Sequence, residues 1–300
     1  MDILSTGGNG QLGNELRKIL REGHAEIGPI ASDYKDAHVV STDVEELDIT
    51  DASAVMSFVK EQGFDLIVNC AALTNVDGCE TSYDLAYAIN AQGPANLAAA
   101  AEAAGAKLVQ VSTDYVFPGT DPKPRVETDE TDPVSAYGRT KLYGEQEVMK
   151  ACSRAFIVRT AWLYGYIGKN FVKTMIRLGS SRDTVTVVDD QLGNPTHAND
   201  LAYEILRIAV TDNYGVYHCT NEGTCSWADF AQAIMEGAGL DCEVKRCTSE
   251  EYKQLNPASA NRPAYSSLEN AHLAATVGNE MRTWQDALAS YFEHQENMGE

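Results

Sequence analysis

The feature that most restricts this chain is where its first glycines fall. In "DILSTGGNGQLGNEL", Gly7, Gly10 and Gly13 come directly after a strand-like run and at the start of a helical pattern. Residues without Cβ permit a tight turn and let backbone N–H groups approach a ligand closely, while the third lets the helix pack against the strand. Strand, glycine turn and helix together open a parallel sheet, and the helix N-terminus they expose suits a phosphate group.

The following 150 residues repeat that alternation. "AHVVSTD" precedes "DASAVMSFVKEQG"; "FDLIVNCAA" precedes an alanine-rich helix expected from about Ser82 to Ala104; "AKLVQVSTD" leads through the loop "PGTDPKPRVETDETDP" to a helix beginning near Ser135; "AFIVRTAW" closes the series. Short apolar strands separated by helices imply right-handed crossovers and a parallel sheet covered on both faces. The expected fold is therefore α/β, a Rossmann-type doubly wound parallel sheet. After Trp162 the pattern loosens into helical "KNFVKTMIRLG", "ANDLAYEILRIAV" and "WADFAQAIMEGAG", strand-like "TVTVVDD" and "GVYHCTN", a mixed region from Cys242 to Leu273, and a terminal helix around Trp284 to Gln295. We read residues 1–165 as a dinucleotide-binding domain. Residues 166–300 read as a smaller α/β substrate-binding lobe interleaved with segments that return to the sheet.

Composition narrows the function. With 44% hydrophobic residues among 300, a sizeable core can be buried. A net charge of −21 argues against nucleic acid and anionic membrane as partners. An anionic ligand must then be held locally, by helix N-termini and a few placed cations. Seven cysteines without a C-x-x-C pair indicate neither a disulfide framework nor a zinc site, and no metal is expected. The start "MDILSTGGNG" reads as a strand rather than a leader, no apolar run is long enough to span a bilayer, and a cytoplasmic location is expected.

In a dinucleotide site, Asn9, Gly10, Gln11 and Leu12 belong to the phosphate turn with Gly7 and Gly13. Asp43, at the end of the second strand, is placed to accept hydrogen bonds from both ribose hydroxyls and to repel a 2′-phosphate; no Lys or Arg lies between Asp36 and Val59 to offset it. NADH is therefore favoured over NADPH. Asp48 and Ile49 are candidates for the adenine edge, and Ala71, Ala72 and Leu73 for close passage of a flat cofactor.

At the other end of the cofactor, the fourth strand finishes in "VQVSTDYVF". Ser112 and Thr113 point to opposite sides, so only one of them faces the nicotinamide. The next helix carries Tyr137 and Lys141 in "SAYGRTKLYGE", one turn apart on one face. An ammonium beside a phenol is expected to lower its pKa, making a proton donor for a ketone that receives hydride. Glu145, one turn further on, reads as solvated support for Lys141.

Taken together, "GGNGQLG", "LDITD", "NCAALTNVDGCE", "VSTDYVFPG", "YGRTKLYGE", "RTAWLYG", "DQLGNPT" and "RPAYSSL" resemble the extended short-chain dehydrogenase/reductase family, along nearly the whole chain. The resemblance implies NAD(P)H-dependent reduction of the 4-keto group of a dTDP-4-dehydro-6-deoxy-L-hexose. It implies Tyr137 as proton donor, Lys141 as its partner and a contact to the nicotinamide ribose, and Thr113 as the hydroxyl near the reacting carbonyl. Asp114 and Tyr115 would border the sugar, Trp162 would pack on it, and Asn170 and Arg262 would line the nucleotide–diphosphate pocket. Some members dimerise around Mg²⁺. Glu15 matches one acidic ligand of that site, but Asn199 stands where another is needed, so a Mg²⁺-linked dimer is doubtful; monomer and homodimer both remain open. Two alternatives stand beside the reductase. One is an epimerase or 4,6-dehydratase of the same family, the latter disfavoured because Tyr115 follows Asp114 where a dehydratase carries Glu. The other is a non-catalytic dinucleotide-binding subunit.

Overall fold

The computed structural model describes residues 1–257 and 259–294. Strands β1 (Asp2–Thr6), β2 (His38–Thr42), β3 (Leu66–Asn69), β4 (Lys107–Thr113), β5 (Ala155–Thr160) and β6 (Gly215–His218) form a six-stranded sheet in the order β6-β5-β4-β3-β1-β2, parallel throughout. The order reverses between β1 and β3, which opens a crevice at their carboxyl ends. Alternate strand residues feed opposite layers. Ile3, Phe156 and Val158 pack with Leu12, Leu16, Leu201 and Ile205, from helices α1 (Gln11–Glu22) and, seven helices later, Ala198–Ala209. Leu4, Ile67, Leu108 and Ile157 pack with Val55, Val59, Leu97 and Val148 on the other face, from α2 (Ala52–Gln62) and the two helices that flank β4.

Between β3 and β4 the chain forms α3 (Val76–Thr81), α4 (Tyr83–Tyr87), a π-helical stretch Ala88–Gln92 and α5 (Gly93–Ala104). Sequence periodicity gives one helix from Ser82 and misses α3, which Asn75 caps by accepting from Gly78 N–H. The widened stretch has a cause in Pro94, which has no N–H to give and whose ring crowds the carbonyl of Asn90.

α6 (Ala136–Ala151) follows β4, with the Ser135 hydroxyl accepting from Gly138 N–H. The second half supplies α7 (Phe171–Gly179), α8 (Ala198–Ala209), α9 (Trp227–Gly237), α10 (Ser249–Leu255), α11 (Ala271–Thr276) and α12 (Trp284–Glu293). Of these, α8 lies against α1, and β6 completes the sheet beside β5. Thr184–Val188 pairs in parallel with Glu243–Cys247, and its Val185 and Val187 pack with Phe230, Ile234 and Trp284 in a separate core. The mixed region thus holds a strand, α10 and the start of α11; the expected end of the last helix at Gln295 lies outside the described residues. All seven cysteines are free, and no helix among the described residues is long and apolar enough to cross a membrane.

Candidate active site

The glycine turn is built by close approach. Gly7 adopts φ +66°, and a Cβ there would lie 2.7 Å from the Ala71 nitrogen; one on Gly13 would lie 2.5 Å from the Gly7 carbonyl oxygen. Gly10 starts α1 with no side-chain cap and no acidic residue in the first turn. The first N–H groups therefore face the cavity unneutralised, as a pyrophosphate requires. The Asp43 carboxylate sits at the end of β2, where it accepts from Asn9 N–H at 3.2 Å and Val44 N–H at 2.9 Å. Asp43, Asp48, Ile49, Ala71 and Ala72 line a cavity of about 270 Å³ that shares Gly7, Gly10 and Cys70 with a larger one of about 550 Å³. Asp48 also accepts from the Thr50 hydroxyl, which holds its carboxyl below the usual range.

The larger cavity is lined by Gln11, Leu12, Thr113, Asp114, Tyr115, Tyr137, Lys141 and Trp162. Three turns of α6 meet the end of β4. The Tyr137 phenol is beside the Thr113 hydroxyl, Lys141 Nζ donates to Val111 O at 2.6 Å, and Glu145 Oε1 accepts from the Ser112 hydroxyl at 2.5 Å. Glu145 also accepts from the Arg159 guanidinium at 2.7 and 3.0 Å. This corrects the reading of Glu145 as solvated: it is 4% exposed, because β5 brings a cation beneath it. It also separates the two hydroxyls, since Ser112 is committed to Glu145 while Thr113 borders the phenol.

A second correction concerns the tyrosine. Burial raises the Tyr137 phenol well above its ordinary value, and Asp114 adds to that; the Thr113 hydrogen bond opposes it without prevailing. Lys141 Nζ is bound to Val111 O, and burial brings the ammonium itself down to about 8. The pair thus presents a firmly protonated phenol, which suits donation to an alkoxide. Asp114, 2% exposed, is pushed up to about 7 by burial.

The remaining residues divide. Trp162 stacks on Trp227 with ring centroids 3.5 Å apart, at φ +47°. Leu73 is pinned by Asn90, whose side chain accepts from Leu73 N–H and donates to Leu73 O and to the Thr140 hydroxyl. Asn170 has structural work: it caps α7 through Lys173 N–H and donates to Gln11 Oε1 and Gly165 O, so its side chain is spent tying the phosphate turn to α7. Arg262 pairs with Asp77 at 3.1 Å and borders a third cavity of about 730 Å³, lined also by Phe171, Met175, Tyr252 and Lys253. That cavity meets the second at Trp227. Sequence reasoning missed Lys169, an exposed cation lining the cavity beside Gly7, Gly10 and Gln11, although "GKN" before a helix in so acidic a chain was a usable signal.

Comparison with known proteins decides the lineage. A family model described as RmlD substrate binding domain matches residues 1–297. The chain belongs to the RmlD family. It is 40% identical to a dTDP-4-dehydrorhamnose reductase of Mycobacterium tuberculosis, over 96% of this chain and 91% of that protein. It is 41% identical to one of Streptomyces griseus, over 96% and 92%. A solved dTDP-4-dehydrorhamnose reductase of Clostridium acetobutylicum superposes with TM-score 0.92 at 49% identity, covering 99% of this chain and all of that one. One of Bacillus anthracis, in complex with NADP, gives 0.89 at 41%, covering 98% and 99%. An RmlD-family chain with this phosphate turn binds a nicotinamide dinucleotide. Glu15, which the resemblance put at a metal position, has its Oε2 accepting from Asn199 Nδ2 at 2.9 Å, the carboxyl raised by burial.

Proposed function

We propose that this chain reduces the 4-keto group of dTDP-4-dehydro-6-deoxy-L-mannose to give dTDP-L-rhamnose, using NADH or NADPH. The observation that carries this reading is the convergence of Tyr137, Thr113 and Lys141 in one cavity wall, continuous with the phosphate turn on one side and the Trp162–Trp227 stack on the other. The cofactor supplies hydride to C4. Tyr137 donates its phenolic proton to the oxygen left at C4, and the Thr113 hydroxyl steadies that oxygen. Lys141 holds the β4 carbonyl end in place and gives a positive charge beside the nicotinamide ribose. Trp162 packs on the sugar, Asp114 and Tyr115 border it, and the 730 Å³ cavity with Arg262 and Lys253 takes the nucleoside diphosphate. Glu15 already has a hydrogen-bond donor in Asn199, so no Mg²⁺ is assigned there.

Dehydration is disfavoured because the residue after Asp114 is a half-buried phenol, Tyr115, rather than a second carboxylate. The test is consumption of NADH and NADPH with the dTDP-4-keto sugar. Tyr137→Phe, which removes only the hydroxyl, should lower kcat at least about 100-fold while nicotinamide binding persists. Undiminished turnover would falsify the assignment.

A further inference from the structure

Each reduction leaves Tyr137 as a phenolate that must regain a proton before the next. The usual suspect, Lys141, has its Nζ on Val111 O. The groups acting on the phenol are instead the Thr113 hydroxyl, the Asp114 carboxyl and Cys79, against whose cluster Tyr137 packs. The Thr113 hydroxyl donates to Asp114 Oδ1 at 2.8 Å and accepts from Tyr115 N–H at 3.2 Å, and turning its O–H towards the phenol lets it accept from a protonated Asp114 instead. Asp114 Oδ2 is buried without a hydrogen-bond partner, in a side chain lining the cavity. A hydroxyl between a carboxyl and a phenol can take a proton from one and give its own to the other.

We propose that Asp114 is the proton reserve of this site, passing its carboxyl hydrogen through Thr113 to the Tyr137 phenolate. The proposal rests on the reductase reading above. In the step, the Tyr137 O–H bond breaks as the alcohol O–H at C4 forms. The phenolate then takes the Thr113 hydrogen, and Thr113 takes the Asp114 hydrogen, leaving a carboxylate. No electrons move between residues; the two that reduce the ketone arrive with hydride. Asp114 reloads from water when product has left the cavity. Its surroundings favour the loaded form: burial raises it to about 7, tempered by Ser266 from the segment before α11, by Thr113 and by the N–H groups of its own turn. The other titratable groups facing it are Tyr115 and Tyr137, with Arg262 acting on Tyr115.

The experiment is kcat and KM against pH for the full chain, with Asp114→Asn, which keeps shape and hydrogen bonds but carries no transferable proton. A reserve must be protonated, so wild-type kcat should fall as pH rises through about 7 or somewhat above. In Asp114→Asn, kcat should drop about 10- to 100-fold and that limb should vanish. Thr113→Val should remove the same limb, and Thr113→Ser should restore it; this pair stands in if the Asn variant does not fold. A raised KM for the sugar with kcat and its pH profile unchanged would make Asp114 a binding contact and overturn the relay, as would a lowered kcat that keeps the limb. Loss of the relay with Tyr137→Phe still inactive leaves the reductase reading standing; activity in Tyr137→Phe removes both.

Discussion

Glu145 and Asp43 are carboxylates with opposite tasks. Glu145 is internal: with Ser112 and Arg159 both bound to it, removing its charge strands a buried guanidinium, a loss of about 3–5 kcal/mol. Asp43 faces a cavity, and its acceptance of the Asn9 N–H and Val44 N–H leaves lone pairs for ribose hydroxyls. A 2′-phosphate would meet that charge head-on. The Bacillus anthracis relative is described with NADP, so the fold tolerates the phosphate. We expect Asp43→Ala to raise the ratio of kcat/KM for NADPH to that for NADH about 10-fold, since each 1.4 kcal/mol of relieved repulsion counts tenfold. An unchanged ratio in steady-state assays would exclude Asp43 as the selector.

At the scale of elements, α6 matters most, because it carries Tyr137, Lys141 and Glu145 and is seated by glycines. A Cβ on Gly144 would stand 2.2 Å from the Asn90 carbonyl oxygen, and one on Gly138 2.2 Å from the Tyr115 carbonyl oxygen. Gly144→Ala must push α6 off the π-helical stretch. We expect it to cost about 1–3 kcal/mol, as overpacking does, and to lower kcat more than nicotinamide affinity; a denaturant melt and initial rates report both. An unaltered melt with full activity would mean that the helix has room to shift. How much of this the sequence made legible follows from range. The strand–helix alternation, the glycine turn and the placing of Tyr137 and Lys141 one turn apart on a single helix are local patterns, and the structure has all three. What was illegible depends on partners far along the chain: Arg159 buries Glu145, Val111 O claims Lys141 Nζ, and Gln11 claims Asn170. A helical i,i+4 spacing says which residues share a face, not what lies opposite that face.

For the whole molecule, the question is how the excursions after β5 are kept on the sheet. β6 does it, and His218 at its end is the tie. Its Nδ1 donates to the carbonyls of Arg125 and Glu269, its backbone N–H donates to Glu127 Oε1, and its ring stands edge-on to Phe117. Nε2 is buried without a partner, so a second ring proton would be unsatisfied. Burial, with the Arg159 charge, brings His218 down from 6.5 to about 3. A histidine depressed on folding contributes stability that is full above its unfolded value and lost as pH falls towards the folded one. Between about pH 6.5 and 3 the unfolded chain therefore binds one more proton at this residue, steepening the loss by about 1.4 kcal/mol per pH unit. Asn at this position keeps an N–H donor and cannot titrate. His218→Asn is expected to be less stable at neutral pH yet to lose less on acidification, so that urea-unfolding free energies of the two proteins converge as pH falls; parallel curves would show that the tie is held by packing alone. Glu26 and Asp200, whose carboxyls are lowered beside His197 and Arg282 against the opposing effect of burial, also weaken in acid, but they do so in both proteins and leave the difference untouched.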